Sequence, residues 1–417
     1  MDFTLNEEQK MVKTNVREFM EKEVAPVADK RDREGPLTRE EIISWRKKLE
    51  PVLPYNVEGL TGVMGGGEGV DVIAFAITVE EHFGAWAGLA GAVGMASMSM
   101  MALVSPKKMR EKILPRLNAG ELIGCIAISE PNAGSDNRAM QTKAVLDGDC
   151  YVINGTKTWI TDGPVSDFCV LFAKDETGER QMFLVDREES PYQSSDLPKV
   201  GWHACPTGEL YFDNCRVPKE NNVMAIINEM MSTGKVDELV RDLGVSLETL
   251  PMETMGSLMN LLGLGPLTLA LAAMRFGMAL GGVGVSQRAT DASINYAKER
   301  VQFDRPIGKF QLVQNMIVEM LTLTEAMRFF AYRAVDTLSR GAPETRLHTS
   351  MAKAFNCENA LRVATLGVKV HGGMGLSQEL PMERYFRDAV MLTVPDGTNE
   401  INRLVAGREI LGISAYV

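Results

Sequence analysis

Between Ile123 and about Met224 apolar residues come in short runs that suit strands, and on either side they recur at helical spacing. This change of texture limits the folds open to the chain. Gly124–Ile128, Lys143–Leu146, Tyr151–Ile153, Phe168–Phe172 and Met182–Val185 are the runs, and Asp147-Gly148-Asp149 and Asn154-Gly155 read as the turns between them. Regular short strands with such turns indicate a small barrel or sandwich. Before them, Asn6-Glu7-Glu8 precedes Met11, Val12, Val16, Phe19 and Met20 at helical spacing, and Pro36-Leu37-Thr38 caps a second helix. Val70 to Met101 is an apolar helical stretch, and the chain is helical again from Asn228 to Gly412. The expected class is α+β: an N-terminal helical domain over 1–122, a middle β domain over 123–225 and a C-terminal helical domain over 226–417.

A chain of 417 residues, 45% hydrophobic, can bury a core large enough for this division. Its formal charge of −11 argues against nucleic acid as a partner, since phosphate binding needs clustered positive charge. Six dispersed cysteines without CxxC spacing suggest free thiols in a reducing compartment. Four dispersed histidines offer no metal-ligand pattern. Met1–Leu5 opens directly into charged helical sequence without the basic and apolar regions of a signal peptide, so a cytoplasmic location is expected. Thr254–Met274 carries no charge, yet Gly256, Gly263, Gly265 and Pro266 punctuate it, which favours a buried helical hairpin over a membrane span. Gly65-Gly66-Gly67 lacks the strand-then-helix frame of a phosphate loop, and Gly281-Gly282-Val283-Gly284 lies inside a helical run and reads as close helix packing.

Five motifs carry chemistry. Ser129-Glu130-Pro131-Asn132-Ala133-Gly134-Ser135 follows a strand, and the N–H and hydroxyl groups of such a turn can bond a ring edge or a pyrophosphate. Trp159-Ile160-Thr161 ends another strand. Arg300-Val301-Gln302-Phe303 follows a helix, and an arginine there suits a pyrophosphate, although a lone one in that place is usually a solvated cap. His371-Gly372-Gly373-Met374-Gly375 permits close backbone approach to a ligand. Asp396-Gly397-Thr398 joins a carboxylate to backbone N–H groups in one turn, a pairing that can remove a proton and support the charge that develops.

In this order the motifs resemble the acyl-CoA dehydrogenase family, FAD enzymes that desaturate acyl thioesters, along nearly the whole chain. The resemblance implies a helical domain, a β-barrel and a C-terminal four-helix bundle. It assigns Ile126, Ile128 and Ser129 to the flavin, with Trp159 covering it and Thr161 near N5. Ser135 and Arg275 go to the CoA moiety, and Gly397 to the thioester. Arg300, Phe303 and Gln311 meet the FAD of a neighbouring subunit in a homotetramer, while Lys369, Gly372, Gly373, Thr398 and Glu400 complete the cofactor contacts. Lys369 stands where the family commonly has Gln. The implied partners are an acyl-CoA and an electron-transfer flavoprotein. Residues 226–270 look like an insertion relative to the family, either a surface elaboration or a wall that reshapes the acyl site.

Asp396 stands where most of the family carries Glu. Some members place their base on the helix around Arg275, but Met274 and Phe276 cannot serve. Asp is shorter by about 1.5 Å, one C–C bond, so either the substrate approaches more closely or a bulky α-carbon needs the space. That favours an alicyclic or α-branched acyl group. Alternatives are a nitroalkane-oxidase-like flavin oxidase that also uses Asp, a dehydrogenase of 2-substituted succinyl-CoA, and a non-catalytic acyl-CoA-binding protein.

Overall fold

The computed structural model describes residues 4–52, 71–94, 107–233 and 266–415. Most of the insertion, the Gly65–Gly67 run and most of the charge-free segment lie outside them. Among the described residues no helix is long and apolar enough to cross a membrane.

The N-terminal helices begin where their caps lie. Asn6 and Gln9 form a reciprocal capping box at α1 (Glu7–Phe19), and Thr38 and Glu41 form another at α3 (Arg39–Leu49). A π-helical turn at Met20–Val24 leads from α1 into α2 (Ala25–Arg33). α4 (Val72–Val93) starts where the Asp71 carboxylate accepts from the N–H groups of Ile73 and Ala74. It is buried along nearly its whole length, and α5 (Lys107–Asn118) follows.

The middle domain is a curled sheet of seven strands: β1 (Gly124–Ala127), β2 (Lys143–Asp147), β3 (Cys150–Thr161), β4 (Phe168–Lys174), β5 (Arg180–Asp186), β6 (Gln193–Asp196) and β7 (Thr207–Pro218). Its order is β1-β4-β2-β3-β7-β6, with β5 on the free side of β4. The alternation of β4 explains its unbroken apolar run. Cys169, Leu171 and Ala173 face one apolar cluster with Ile153, Phe183 and Leu210, while Phe168, Val170 and Phe172 face another with Met109 and Ile113 of α5.

One expectation fails here. Asn154-Gly155 is no turn: β3 runs through it, and the register against β7 shifts between Ile153 and Gly155. Pairing on both sides overrides the local dipeptide signal and converts the turn into a bulge. Gly155 is required there, because its φ is +155° and a Cβ would come 2.4 Å from the Thr142 hydroxyl.

After α6 (Val223–Thr233) the described chain resumes at α7 (Pro266–Glu299). A short hairpin, β8 (Val301–Gln302) and β9 (Arg305–Pro306), leads to α8 (Gln311–Ser339), α9 (Thr345–His371), α10 (Met382–Leu392) and α11 (Asn399–Leu411). α9 is central and packs on the other four helices of this region. The two helical regions are not separate bodies, since Val16, Trp86, Leu280 and Val363 belong to one apolar core. Gly284 is where α4 and α7 meet, and a Cβ there would lie 2.0 Å from the Glu80 carbonyl oxygen. Buried charges on α4 are matched from far along the sequence, Glu80 by Arg328 at 2.7 Å and Glu81 by Arg288 at 3.1 Å.

Candidate active site

α10 ends at Leu392, and the chain turns through Asp396 and Gly397 with φ of 60° and 84° before Thr398 caps α11 by accepting from the N–H of Ile401. A left-handed aspartate is uncommon and costs about 1 kcal/mol or more, so the surroundings must hold it. They do so from three helices. Arg275 of α7, 5% exposed, donates from Nε to the Asp396 carbonyl at 3.3 Å and from Nη1 to Ser350 Oγ of α9 at 3.2 Å. Asn402 of α11 donates from Nδ2 to the carbonyls of Gly397 at 2.8 Å, Thr398 at 3.1 Å and Asp396 at 3.4 Å. Lys353 of α9 donates from Nζ to the Thr393 carbonyl and to Asn399 Oδ1, both at 3.0 Å.

Burial pushes the Asp396 carboxyl up to about 6, against the opposing pull of the Lys353 and Arg275 cations. The residue as a whole is half-buried. An acid poised there is ionised at neutral pH and can still accept a proton readily. Arg275 has the partners that a buried charge requires. Its guanidinium lies against the acid's turn, so it fixes the acid's backbone.

A second group forms where β1 ends beside β3. The Glu130 carboxylate accepts from Lys157 Nζ at 2.7 Å and from the N–H groups of Gln141 at 2.6 Å and Thr142 at 2.9 Å. Reciprocal backbone hydrogen bonds between Glu130 and Ala133 close the turn, Lys157 Nζ also donates to the Ile128 carbonyl at 3.1 Å, and the N–H of Thr158 donates to the Ser129 carbonyl at 2.9 Å. Ser129 is thereby tied to Thr158, the residue before Trp159. Trp159 sits in a second bulge of β3 with φ 60° and is 56% exposed, so its indole is turned out of the sheet, where a strand tryptophan would otherwise join the core. Ile126 is buried, Ile128 half-buried and Ser135 exposed on the open side of the turn.

The third group is a projecting hairpin. Phe303 and Asp304 both have positive φ, the two-residue turn that matches strand twist, and Phe303 is 87% exposed. Arg300 and Gln311 flank it, both exposed. The His371 ring stacks on Tyr296 at 4.4 Å, and the Tyr296 carbonyl accepts from the Arg300 N–H, which links this hairpin to the Gly372–Gly375 turn. Lys369 and Glu400 are exposed and Thr398 half-buried.

Lys353, Ser350, Asn399, Asn402 and the Glu130–Lys157 pair are additions to the expected set. Glu130 lies inside the quoted Ser129–Ser135 motif, whereas Lys353 is flanked on its helix face by Thr349, Ser350 and Asn356 and does not stand out in the sequence.

A desolvated acid in a braced turn and an outward-facing indole at a strand end are features that a general base and a planar cofactor would need. Family models for acyl-CoA dehydrogenase match in the same order as the three regions: the N-terminal domain over residues 6–121, the middle domain over 125–215 and the C-terminal domain over 263–411. The chain belongs to the acyl-CoA dehydrogenase family, FAD-dependent oxidoreductases acting on CH–CH groups. It is 32% identical to glutaryl-CoA dehydrogenase of Desulfococcus multivorans over 426 residues, 99% of each protein. It is also 32% identical to acryloyl-CoA reductase (NADH) of Anaerotignum propionicum, over 99% of this chain and 96% of that one. Butyryl-CoA dehydrogenase of Megasphaera elsdenii matches with a TM-score of 0.78 at 28% identity, over 99% of this chain and 100% of that one. The residues fit FAD: a Cβ added at Gly372 or Gly373 meets nothing within 4 Å, leaving the open backbone a nucleotide needs, and the exposed Trp159 gives a ring a face to lie against.

Proposed function

We propose that the protein desaturates an acyl-CoA thioester at its α,β bond, with Asp396 as the base and an alicyclic or α-branched acyl group as the substrate. The observation that carries this reading is the Asp396 carboxyl, pushed up to about 6 in a left-handed turn braced by Arg275, Lys353 and Asn402. Asp396 takes the α-proton, and the backbone N–H groups of its turn are the donors for the thioester oxygen as negative charge develops there. FAD, when bound, supplies the acceptor for the β-hydride, and the electrons pass on to an electron-transfer flavoprotein. Ser129, Trp159 and Thr161 would line the flavin ring, with Ile126 and Ile128 behind them. Gly372, Gly373 and Lys369 would meet the adenine end, and Ser135 the CoA chain.

Arg300, Phe303 and Gln311 are assigned to the cofactor of a second subunit in a homotetramer. A phenylalanine 87% exposed on a left-handed turn supports this, as do Leu312, Val318 and Phe329, exposed by 79%, 64% and 51% on α8.

Substrate shape follows from the shorter acid. Retracting the carboxylate by about 1.5 Å leaves room at the α-carbon, and Pro395 beside it is compact. Cyclohexane-carboxyl-CoA should therefore reduce the flavin faster than butyryl- or octanoyl-CoA in anaerobic stopped flow. Asp396→Glu should shrink that preference, because the longer side chain crowds a ring. A wild type that prefers straight chains, with a ratio unchanged in Asp396→Glu, would overturn the steric argument.

A further inference from the structure

Lys353 is 0% exposed, in the third turn of α9, where an apolar side chain would avoid the cost of desolvating an ammonium. Its two acceptors are not neighbours on its own helix. The Thr393 carbonyl lies just before the turn and Asn399 Oδ1 just after it, each 3.0 Å from Nζ. The N–H of Asn399 closes the same loop onto the Thr393 carbonyl at 3.2 Å, and Asn399 Nδ2 is anchored on Glu358 Oε2 at 3.0 Å. The ammonium thus sits at the neck of the loop whose tip is Asp396, while Arg275 and Asn402 hold the tip.

The charged surroundings are one-sided. Desolvation pulls the Lys353 ammonium down, and Cys357, Asp396 and Glu400 act to hold it up while Arg275 opposes them. Burial pushes the Cys357 thiol up to about 12, so it carries no charge at neutral pH, and Glu400 is exposed to solvent. That leaves Lys353 and Arg275, among the described residues, as the two cations acting on the Asp396 carboxyl.

We propose that Lys353 is a positioning residue for the Asp396 base: its buried ammonium ties the two ends of the turn together and supplies a fixed positive charge beside the carboxylate. This rests on the reading of Asp396 as the base. Without the charge the carboxylate is desolvated with less compensation, holds its proton to higher pH, and is less available to accept one at neutral pH.

The test is the pH profile of anaerobic flavin reduction by a saturating acyl-CoA in the FAD-loaded protein. Lys353→Met keeps the apolar stem and removes the charge. Its acidic limb should move to higher pH, with the rate near pH 6 down about tenfold and the rate near pH 9 within about threefold of wild type. Asn399→Ala keeps the charge and loosens one end of the neck. Its rate should fall about threefold at every pH, with the limb in place. A Lys353→Met profile that superimposes on wild type, or one lowered equally at every pH, would overturn the inference. Should Met at this buried site prevent folding, Asn399→Ala decides alone, and unchanged rates in it overturn the proposal. A wild type reduced by no acyl-CoA brings down the reading of the reaction and this inference with it. Normal wild-type reduction with an unaltered Lys353→Met profile overturns this inference only.

Discussion

Asp396 is costly to keep. Its carboxyl titrates at about 6 where an ordinary aspartate titrates at 3.8, so ionising it in the folded protein works against folding. The sign follows directly. Below pH 3.8 the group is protonated in both states and costs nothing, the cost grows between 3.8 and 6, and it is fully present above 6. Asp396→Asn should accordingly be more stable than wild type at pH 8, by about 2 kcal/mol once partial exposure is allowed for. The advantage should close toward pH 4. Urea unfolding of both proteins at the two pH values, without thioester, checks this, and an Asn variant less stable at pH 8 would contradict it. Cost at one residue offset by fixed neighbours is what the proposed role of Asp396 as a base would require. The Asp-Gly-Thr turn was legible in the sequence, but its braces were not. Asn402 bonds the turn from a few residues away, but Arg275 and Lys353 come from distant helices and reach it only through helix packing, which no local pattern reports.

At the scale of elements, legibility followed how local the cause was. The caps at Asn6 and Thr38 bond within their own first turns, and the structure places both helices where those residues put them. The strand runs were likewise readable, because alternation on β4 reflects its two buried faces. Asn154-Gly155 misled because partners on both sides of β3 decided its conformation. Gly284 was readable as close packing, and the contact gives it a magnitude. Gly284→Ala drives a Cβ into the Glu80 carbonyl, where backbone must move, and should cost about 3 kcal/mol. Gly277 on the same helix has nothing within 4 Å of an added Cβ, so Gly277→Ala should gain about 0.5–1 kcal/mol from helix propensity. Thermal denaturation of the pair measures both, and equal effects would remove the close α4–α7 approach as the reason for Gly284.

For the whole molecule, the sequence announced three regions and the structure joins two of them. α4 carries Glu80 and Glu81 into a core shared with α7 and α8, and the cations that match them come from more than two hundred residues later. The helical body in this way braces the acid's turn and also holds the loop between β6 and β7, where the Trp202 backbone N–H donates to Asp388 Oδ1 at 2.9 Å. Asp388 belongs to α10, the helix that ends just before the turn. That bond ties the sheet region to the helix that leads into the acid's turn, which the proposed removal of a proton at one carbon and a hydride at the next would use. The most direct measurement is the loss of oxidised-flavin absorbance when cyclohexane-carboxyl-CoA is added anaerobically to FAD-loaded wild type and Asp396→Asn. Wild type should bleach, and the Asn variant should keep its FAD yet react slower by about a thousandfold or more, since an amide of the same shape cannot accept the proton. Bleaching of Asp396→Asn at the wild-type rate would contradict the assignment of the base and the account built on it.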